Sequence, residues 1–292
     1  MFFKINKKRG ESSFYAIKKF AKQNNIKKIG HSGTLDPLAE GLLIVATDED
    51  TKLLFKLAND TKEYFVKATF HCYSKSYDEG EEVFYLENKK LITKEKLIEA
   101  LQEIKKQKKQ IPPIFSAKKI NGIRSYELAR KNVEFSLKEC DIEIFSIRLD
   151  SFDYERQSFS FYVKVSKGTY IRSLVHDIGL LLNTDAVVNV LKREAIGNIS
   201  LGNVQEYKPI NEIKSLFNIQ LYTLEANELS QIKSKSLYLD RFKNITSDGI
   251  FLYNNQIIAI GKIANGLISF EKILFNRLFL SPLEEKDHEF KI

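Results

Sequence analysis

The sequence predicts a large domain of mixed helices and strands, followed by a small β-rich domain. Several stretches before about residue 205 alternate apolar and polar residues, which is typical of half-buried strands, and others repeat apolar residues at helical spacing. A change in composition near Lys208-Pro209 separates this part from a C-terminal region of short alternating strands. We therefore expect one domain at residues 1–215 and a second at residues 221–285.

Three segments have the period of amphipathic helices. A serine within Gly10–Ser13 and Thr93 can cap the first two helices at their N termini. The third helix follows Gly168, and this junction places Arg172 in its first turn. The three apolar stripes are Phe14, Ile17, Phe20 and Ala21; Leu97, Ile98, Leu101 and Ile104; and Ile171, Leu174, Val175, Ile178, Leu181 and Leu182.

Other segments are predicted as strands. Leu42–Ala46 is a continuous apolar run, as expected of a core strand, whereas Tyr64–Phe70 and Phe159–Val165 alternate. In the C-terminal region, the polar pair Asn254-Asn255 separates two apolar runs, 250–253 and 257–261, and this pattern predicts a hairpin.

The composition excludes several classes of protein. Hydrophobic residues make up 43% of the 292 residues, enough for a folded core rather than a disordered chain. No apolar run approaches the roughly 20 residues that span a bilayer, and the N terminus lacks the apolar core of a signal peptide. The two cysteines, Cys72 and Cys140, cannot build a disulfide framework, so we expect a reducing, cytoplasmic compartment.

The chain is basic. Its 46 Lys and Arg residues against 38 Asp and Glu give a net charge of +8 and a pI of about 9.1. A surplus of this size suits a polyanionic partner such as a nucleic acid. A lysine-rich proteome would give the same charge without any nucleic acid, and charge alone leaves both explanations open.

One segment carries most of the chemical information. Residues Gly30–Gly41 read Gly-His-Ser-Gly-Thr-Leu-Asp-Pro-Leu-Ala-Glu-Gly. Pro37 keeps Asp36 out of helical geometry, and Gly30, Gly33 and Gly41 allow turns that other residues resist. Because a core strand follows, the segment predicts a carboxylate on a firmly anchored loop, which is a common placement for a catalytic group. The alternative is a tight turn whose aspartate only bonds its own backbone.

Three further segments complete a pattern. They are Lys62–Val66, Ile111–Lys119 and Ser166–Arg172, and the second is extended by Gly122 and Tyr126–Arg130. With Gly30–Gly41, and in this order, they resemble the TruB class of tRNA pseudouridine synthases over roughly residues 1–205.

The chain departs from the family pattern in two places. The family usually has Asp-Lys-Pro-x-Gly near the N terminus, where this chain has Asn6–Gly10, so this turn is expected to be less rigid. Of the family's acidic loop, the segment Ser74–Gly80 keeps only Asp78 and Gly80. We interpret the first departure as a change in the scaffold rather than in the chemistry.

The resemblance implies both a fold and a reaction. The fold is α+β: a catalytic domain with a mixed, mainly antiparallel sheet flanked by helices, and a small β-rich, PUA-like RNA-binding domain at the C terminus. The reaction isomerises the T-loop uridine of tRNA to pseudouridine, by cleavage of the C–N glycosidic bond and reattachment through a C–C bond. No redox step, phosphate donor or metal is required, so no cofactor and no metal is expected.

The resemblance also implies roles for three catalytic residues. Asp36 is the catalytic carboxylate, which either attacks the anomeric carbon or takes the C2′ proton. Arg172 is its ion-pair partner, and a planar guanidinium can grip both carboxylate oxygens at once. Tyr64 stacks on the flipped base and brings its phenol near the C5 proton. The alternatives are a surface arginine at a helix start and a plain core tyrosine.

Further residues are implied as contacts to the RNA. Tyr170 and Leu191 match positions that line the uracil pocket, although either could be plain core, and His31 matches a residue that contacts RNA beside the site. A group of lysines flanks a segment that grips the RNA stem-loop, and a solvated loop is the alternative for them. These are Lys105, Lys106, Lys108, Lys109, Lys118 and Lys119.

The expected partner is the T-arm stem-loop of tRNA. We expect a monomer that needs neither a membrane nor an obligatory protein partner. The sequence leaves two other functions open: a guide-RNA-dependent synthase that acts on ribosomal RNA, and a tRNA-folding chaperone without catalysis. Activity on bare tRNA would separate the first from the expected enzyme, and the presence of both Asp36 and Arg172 disfavours the second.

Overall fold

The structure is a computed structural model that describes residues 1–58, 60–87, 89–131, 133–212, 216–217 and 219–278. The end of the predicted second domain, residues 279–285, lies outside these ranges. The helices are α1 (Ser13–Gln23), α2 (Leu54–Ala58), α3 (Lys94–Ile104), α4 (Ser125–Arg130), α5 (Ile171–Leu181), α6 (Ala226–Leu229) and α7 (Phe275–Leu278). Short 3₁₀ turns occupy Asp48–Leu53, Ser230–Ser234 and Asp240–Phe242.

The strands are β1 (Phe2–Lys7), β2 (Ile29–His31), β3 (Ala39–Thr47), β4 (Lys62–Phe70), β5 (Cys72–Tyr73), β6 (Phe84–Tyr85), β7 (Lys109–Gln110), β8 (Lys119–Ile120), β9 (Ile123–Arg124), β10 (Cys140–Asp141), β11 (Ile144–Asp153), β12 (Ser158–Val165), β13 (Ala186–Ile196), β14 (Ile199–Ser200), β15 (Tyr207–Ile210), β16 (Gln220–Thr223), β17 (Ser236–Tyr238), β18 (Thr246–Tyr253), β19 (Gln256–Ala264) and β20 (Leu267–Ile273).

A central sheet organises the first two thirds of the chain. Its strand order is β11-β12-β4-β13-β3-β1-β15, with β14 on β13 and β2 on β3. Neighbouring strands are antiparallel except β13 and β3, which run parallel over 191–193 and 39–41. The predicted α+β class with a mixed, mainly antiparallel sheet is confirmed.

The two faces of the central sheet are covered differently. Tyr64, Val66 and Ala68 of β4 lie in a core that includes residues of α3 and α5, while Leu43 and Val45 of β3 pack against α1. The alternate residues of β3, such as Leu42 and Ile44, share a core with the C-terminal sheet. This division follows from the two-residue period of a strand, which sends successive side chains to opposite faces.

A five-stranded sheet forms the C-terminal region, in the order β16-β18-β19-β20-β17. The predicted hairpin is its β18-β19 pair, in which Tyr253 faces Gln256. Asn254 and Asn255 both have positive φ, 48° and 58°, as a two-residue hairpin turn of the favoured hand requires. Asparagine tolerates positive φ better than most residues, and this tolerance explains both the Asn-Asn pair in the sequence and the turn that it forms.

Three residues of the predicted helical stripes do not reach the core. Phe14 of α1, Ile98 of α3 and Leu181 at the end of α5 are exposed, and Ala100 is buried on α3 instead. The buried stripe on each helix is therefore narrower than the apolar sequence pattern.

Within the described ranges, no helix is long and apolar enough to cross a bilayer.

Candidate active site

Asp36 lies on a loop between β2 and β3, and the backbone on both sides of it is fixed. The buried Ser13 hydroxyl donates to the Leu35 carbonyl at 2.9 Å and accepts from the Leu35 N–H at 2.8 Å. On the other side, the Gly10 N–H donates to the Pro37 carbonyl at 2.8 Å. These contacts fix the residues before and after Asp36, so its carboxylate starts from a constrained backbone.

Lys7 connects two loops through hydrogen bonds that the sequence did not predict. Its ammonium group is fully buried and donates to the carbonyls of Lys8, Glu11 and Pro37, at 3.0, 2.7 and 3.3 Å. Burial lowers the pKa of Lys7 to about 8. The turn that lacks the family's proline is thus joined to the loop of Asp36 through a lysine.

Two glycines of the Gly30–Gly41 segment have roles other than turns. Gly30 lies in strand β2, so the prediction of a turn at this position is wrong. A Cβ atom at Gly30 would lie 2.9 Å from the Leu54 side chain, which leaves no room for a larger residue. Gly41 has a φ of +101°, and a Cβ there would stand 2.4 Å from the Arg193 carbonyl oxygen. Close approach of the parallel strands β3 and β13 therefore requires a glycine at position 41.

Arg172 and Asp36 form an ion pair. The Arg172 Nε atom donates to Asp36 Oδ2 at 2.8 Å, with the arginine side chain 4% exposed and the aspartate side chain 37% exposed. Nη1 and Nη2 donate to the carbonyls of Ser76 and Phe115, at 2.7 and 2.9 Å. The expected two-oxygen grip on Asp36 is wrong, because two of the three nitrogens hold backbone carbonyls. The alternative of a surface arginine is also wrong, because the Arg172 side chain is buried.

A second carboxylate, Asp78, completes this cluster. Its Oδ2 atom lies 3.5 Å from Arg172 Nε, while Oδ1 accepts from the Ser76 hydroxyl at 2.6 Å and from the Gly80 N–H at 2.9 Å. Arg172 therefore stands between two carboxylates. The sequence carries a signal for Asp78, because it is one of two residues that remain from the family's acidic loop, but nothing in the sequence places it beside Arg172.

A cavity of about 290 Å³ opens beside the ion pair. Five of the predicted site residues line it: Asp36, Tyr64, Tyr170, Arg172 and Leu191. They come from one loop, two neighbouring strands of the sheet and the start of α5. The cavity is concave and mixes apolar with charged walls, as expected of a site for a small polar ring.

Tyr170 is held at the N terminus of α5. Its N–H donates to Gln110 Oε1 at 2.8 Å, and its carbonyl accepts from Gln110 Nε2 at 3.0 Å. Burial raises the pKa of the Tyr170 phenol, so this group is neutral near pH 7. Tyr64 of β4 is 9% exposed, with its ring in the main core and at the cavity wall.

His31 lies beside the cavity rather than in its wall. Its Nδ1 atom accepts from the Gly33 N–H at 3.3 Å, so in the neutral ring the proton is on Nε2. Burial, and secondly the charge of Arg193, lower the pKa of His31. The neutral ring therefore carries a single N–H donor, at Nε2, on the side away from the Gly33 contact.

The predicted RNA-backbone lysines do not line this cavity. Lys106, Lys108 and Lys109 are largely exposed and pair with glutamates: Glu103 at 2.6 Å, Glu143 at 3.0 Å and Glu139 at 3.8 Å. Lys118 donates to the Lys138 carbonyl at 3.3 Å, and Lys105 and Lys119 are exposed. Exposed pairs of this kind are weak and can exchange partners.

Two cations in the cavity wall, Arg193 and Lys62, are not predicted as site residues by the sequence patterns. Arg193 is 2% exposed and faces Tyr64 across the β13-β4 pair, and Lys62 lies two residues before Tyr64 on the same face of β4. Burial and the charge of Arg193 lower the pKa of Lys62 to about 8. The available signal was the strand period, because Arg193 follows Leu191 by two residues.

Sequence comparison identifies the family to which this chain belongs. Residues 19–171 match the sequence profile described as TruB family pseudouridylate synthase (N terminal domain). The chain is 41% identical over 278 residues to tRNA pseudouridine synthase B of Mycoplasma mobile, covering 95% of this chain and 96% of the relative. It is 38% identical to the protein of the same name from Mycoplasmopsis pulmonis, covering 99% and 100%. The chain belongs to the TruB family of pseudouridylate synthases.

Solved structures share its fold. The chain in the structure titled "Crystal Structure of a Cbf5-Nop10-Gar1 Complex" has a TM-score of 0.67 and 19% identity, over 94% of this chain and 84% of that chain. The structure titled "Structure of H/ACA RNP bound to a substrate RNA containing 2'-deoxyuridine" follows with a TM-score of 0.64 and 18% identity, at the same coverage of both chains. At this identity the likeness concerns the fold alone.

Proposed function

We propose that this protein is a tRNA pseudouridine synthase that isomerises the uridine of the T-arm loop. The observation that carries the proposal is the Asp36–Arg172 ion pair, 2.8 Å long, at the wall of a cavity that Tyr64 also lines. The names of the relatives support tRNA as the substrate: the related chain from Thermosipho melanesiensis, 33% identical over 94% of both chains, is also called tRNA pseudouridine synthase B.

The reaction needs a base taken out of its stack and a carboxylate at its sugar. In the proposed complex the uracil enters the cavity, and Asp36 either attacks the anomeric carbon or removes the C2′ proton. The glycosidic C–N bond breaks and the freed uracil turns. C5 then bonds to the ribose carbon, while the Asp36 carboxylate leaves that carbon or the C2′ proton is returned. The C5 proton leaves and N1 takes up a proton, so the product is an isomer of the substrate. Arg172 orients the carboxylate through Nε, and its own orientation is fixed by the two carbonyls that it also holds.

The aromatic and apolar residues of the cavity would hold the uracil during the reaction. Tyr64 would stack on the uracil, a contact worth ~1–3 kcal/mol per base, and its phenol is our candidate for the group near the C5 proton. Leu191 and the neutral Tyr170 would enclose the ring from other sides and exclude water. Confinement matters here because the freed base must reattach before it diffuses away.

The remaining contacts to tRNA are proposed outside the cavity. The Nε2–H of His31 would donate to the RNA beside the site, and the exposed lysines between Lys105 and Lys119 would contact phosphates of the stem-loop. We assign residues 1–215 to the catalytic domain and 221–285 to a PUA-like RNA-binding domain that includes the five-stranded sheet. The enzyme would act as a monomer in the cytoplasm without an obligatory protein partner.

The test uses the purified protein and an unmodified T-arm stem-loop RNA. Chemical labelling after incubation should place pseudouridine at the one T-loop uridine, and an RNA with cytidine at that position should stay unlabelled. Bare RNA should suffice as substrate. Turnover only after addition of a guide RNA would favour the guide-dependent class, and tight binding with refolding of tRNA but no pseudouridine would favour the chaperone; either result would overturn the proposal.

A further inference from the structure

Arg193 is a buried cation that makes hydrogen bonds to backbone carbonyls. Its Nε atom donates to the Leu42 carbonyl at 2.8 Å and Nη2 donates to the Gly33 carbonyl at 3.0 Å. Among the residues that the structure describes, no carboxylate forms a salt bridge with this guanidinium, which is 2% exposed. A buried charge without a counter-charge carries a desolvation penalty that hydrogen bonds to carbonyls offset only in part, so an anionic ligand would stabilise it.

A second polar group, the Ser32 hydroxyl, belongs to a residue that lines the same cavity. The Ser32 hydroxyl is buried, with Ser32 2% exposed, and it has no hydrogen-bond partner among the described residues. Most buried hydroxyls are hydrogen-bonded, so an unpaired one on a residue that lines a cavity can take a ligand atom as its partner. Ser32, Gly33, Lys62 and Arg193 all line the cavity that contains Asp36.

We propose that Arg193, with Ser32 and Lys62, forms a phosphate subsite that binds the RNA backbone next to the flipped nucleotide. A phosphate supplies the missing negative charge for Arg193 and an acceptor for the Ser32 hydroxyl, and RNA carries one at each linkage. This inference rests on the proposed function, because it takes its ligand from the RNA that enters the cavity.

The geometry suits a fixed anion site. The Leu42 and Gly33 carbonyls hold the guanidinium by Nε and Nη2, and among the described residues Nη1 makes no hydrogen bond. A donor that is already oriented loses little entropy when it binds. Asp36 and Arg193 lie in the wall of the same cavity, so a phosphate on Arg193 would position the ribose of that nucleotide relative to the carboxylate.

A different role for Arg193 must be separated from this one. The two carbonyl contacts also support the loop of Asp36, and a purely structural arginine would need no phosphate. The two roles predict different responses to a change in the RNA. Neutralising one phosphate leaves the protein unaltered, so it can affect only a phosphate contact.

The experiment compares three T-arm stem-loops. One is unmodified, one carries a neutral methylphosphonate linkage on the 5′ side of the target uridine, and one carries it on the 3′ side. Turnover of the unmodified RNA is measured first, because its absence would be a failure of the proposed function and not of the subsite. Affinity is then measured with the wild-type protein, Arg193→Gln, Ser32→Ala and the control Lys192→Gln, which removes a cation from the opposite face of β13.

We expect one of the two neutral linkages to weaken wild-type binding roughly 10- to 100-fold, the range for a charge-assisted contact. Arg193→Gln should weaken binding of the unmodified RNA by a similar factor and then lose most of its sensitivity to that linkage, with a small part left because Lys62 and Ser32 remain. Lys192→Gln should keep the full sensitivity, and Ser32→Ala a reduced one. If neither linkage affects the wild-type protein, or if its effect persists in full in Arg193→Gln, the subsite is refuted; the first of these outcomes does not depend on how any variant folds.

Discussion

Arg172 and Arg193 lie in the same cavity and are almost equally buried, at 4% and 2% exposed, yet their charges are balanced in opposite ways. Arg172 has two carboxylates at 2.8 and 3.5 Å, whereas Arg193 has only backbone carbonyls among the described residues. The counter-charge of Arg172 is thus built into the protein. That of Arg193, in our proposal, arrives with the substrate.

The two arginines are therefore suited to different roles. A guanidinium whose three nitrogens are all fixed by the protein can hold a neighbouring carboxylate in one orientation, but it has little left to offer a ligand. A guanidinium without a carboxylate partner can form an ion pair with an anionic ligand. Substitutions on the Arg172 side should therefore change the rate, and substitutions on the Arg193 side should change affinity.

The largest effect should come from Asp36→Asn. The amide keeps the shape of the side chain but cannot act as nucleophile or base, so turnover should fall on the order of 10³-fold or more. Affinity for the T-arm RNA should stay within a few-fold of the wild type. Single-turnover kinetics and a separate binding measurement check both statements.

Near-normal turnover by Asp36→Asn would remove this residue from the chemistry. A parallel loss of turnover and affinity would mean that the substitution had disturbed the loop. The control is Glu40→Gln, which neutralises the other carboxylate of the Gly30–Gly41 segment and should leave the rate nearly unchanged.

Arg172→Lys should come next in size. A lysine cannot replace the contacts to Asp36, Ser76 and Phe115 together, so it leaves buried carbonyls unpaired and the carboxylate less well oriented. A misplacement of this kind can lower the rate ~10²-fold. Single-turnover rates across pH, with affinity measured separately, should show a slower enzyme that still binds RNA. Equal rates at every pH would mean that Arg172 does not serve Asp36.

The sequence predicted one of these two arginines and missed the other, for a physical reason. Arg172 sits in a motif, Ser166–Arg172, at the strand-to-helix junction, and the pattern around it is specific. Arg193 sits inside an ordinary strand, and only its pairing with Tyr64 and Gly41 brings it to the cavity. Register between distant strands cannot be deduced from the local period alone.

The same distinction holds for the fold. Helices and strands with clear periods, and the Asn254-Asn255 hairpin, were predictable because their signals are local. The buried ammonium of Lys7 and the place of Asp78 beside Arg172 were not, because each depends on carbonyls or charges from another part of the chain. The geometry of Arg172 was predicted as a partner for Asp36 but not as a clamp on two carbonyls.

A third effect should appear outside the cavity and affect affinity only. Alanine at Lys105, Lys106, Lys108 and Lys109 should weaken RNA binding and reduce its dependence on salt, by roughly one unit of slope for each phosphate that the protein no longer neutralises. The rate of the bound RNA and the choice of base should not change. Affinity measured from low to high salt checks this.

A counter-variant sharpens this test. Glutamine at Glu103, Glu139 and Glu143 would release three of the paired lysines, so affinity at low salt should rise rather than fall. An unaltered salt slope in the alanine variant, together with no gain in the glutamine variant, would make this segment an ordinary solvated loop.

The smallest effect should be a dependence of affinity on pH that Lys62 causes. Burial and the nearby Arg193 lower the pKa of Lys62 to about 8, so the wild-type ammonium is charged below that pH and loses its proton above it. If a phosphate binds there, affinity should be constant in acid and fall roughly threefold between about pH 7.5 and about pH 8.5. Lys62→Arg keeps the charge at every pH and should remove this part of the fall.

Two features make this result interpretable. Lys7, whose pKa is also about 8, is present in both proteins, so only the difference between them reports Lys62. Loss of the folded state cannot explain a fall in affinity in this window. Between the folded-state pKa of about 8 and the usual value of 10.5, the unfolded chain binds more protons at Lys62 than the folded chain does. The contribution of Lys62 to folding stability therefore increases as pH rises. A loss of affinity in that window therefore comes from the binding site. Parallel pH profiles for the two proteins would take Lys62 out of the subsite and leave Arg193 and Ser32 to be judged by the phosphate substitutions alone.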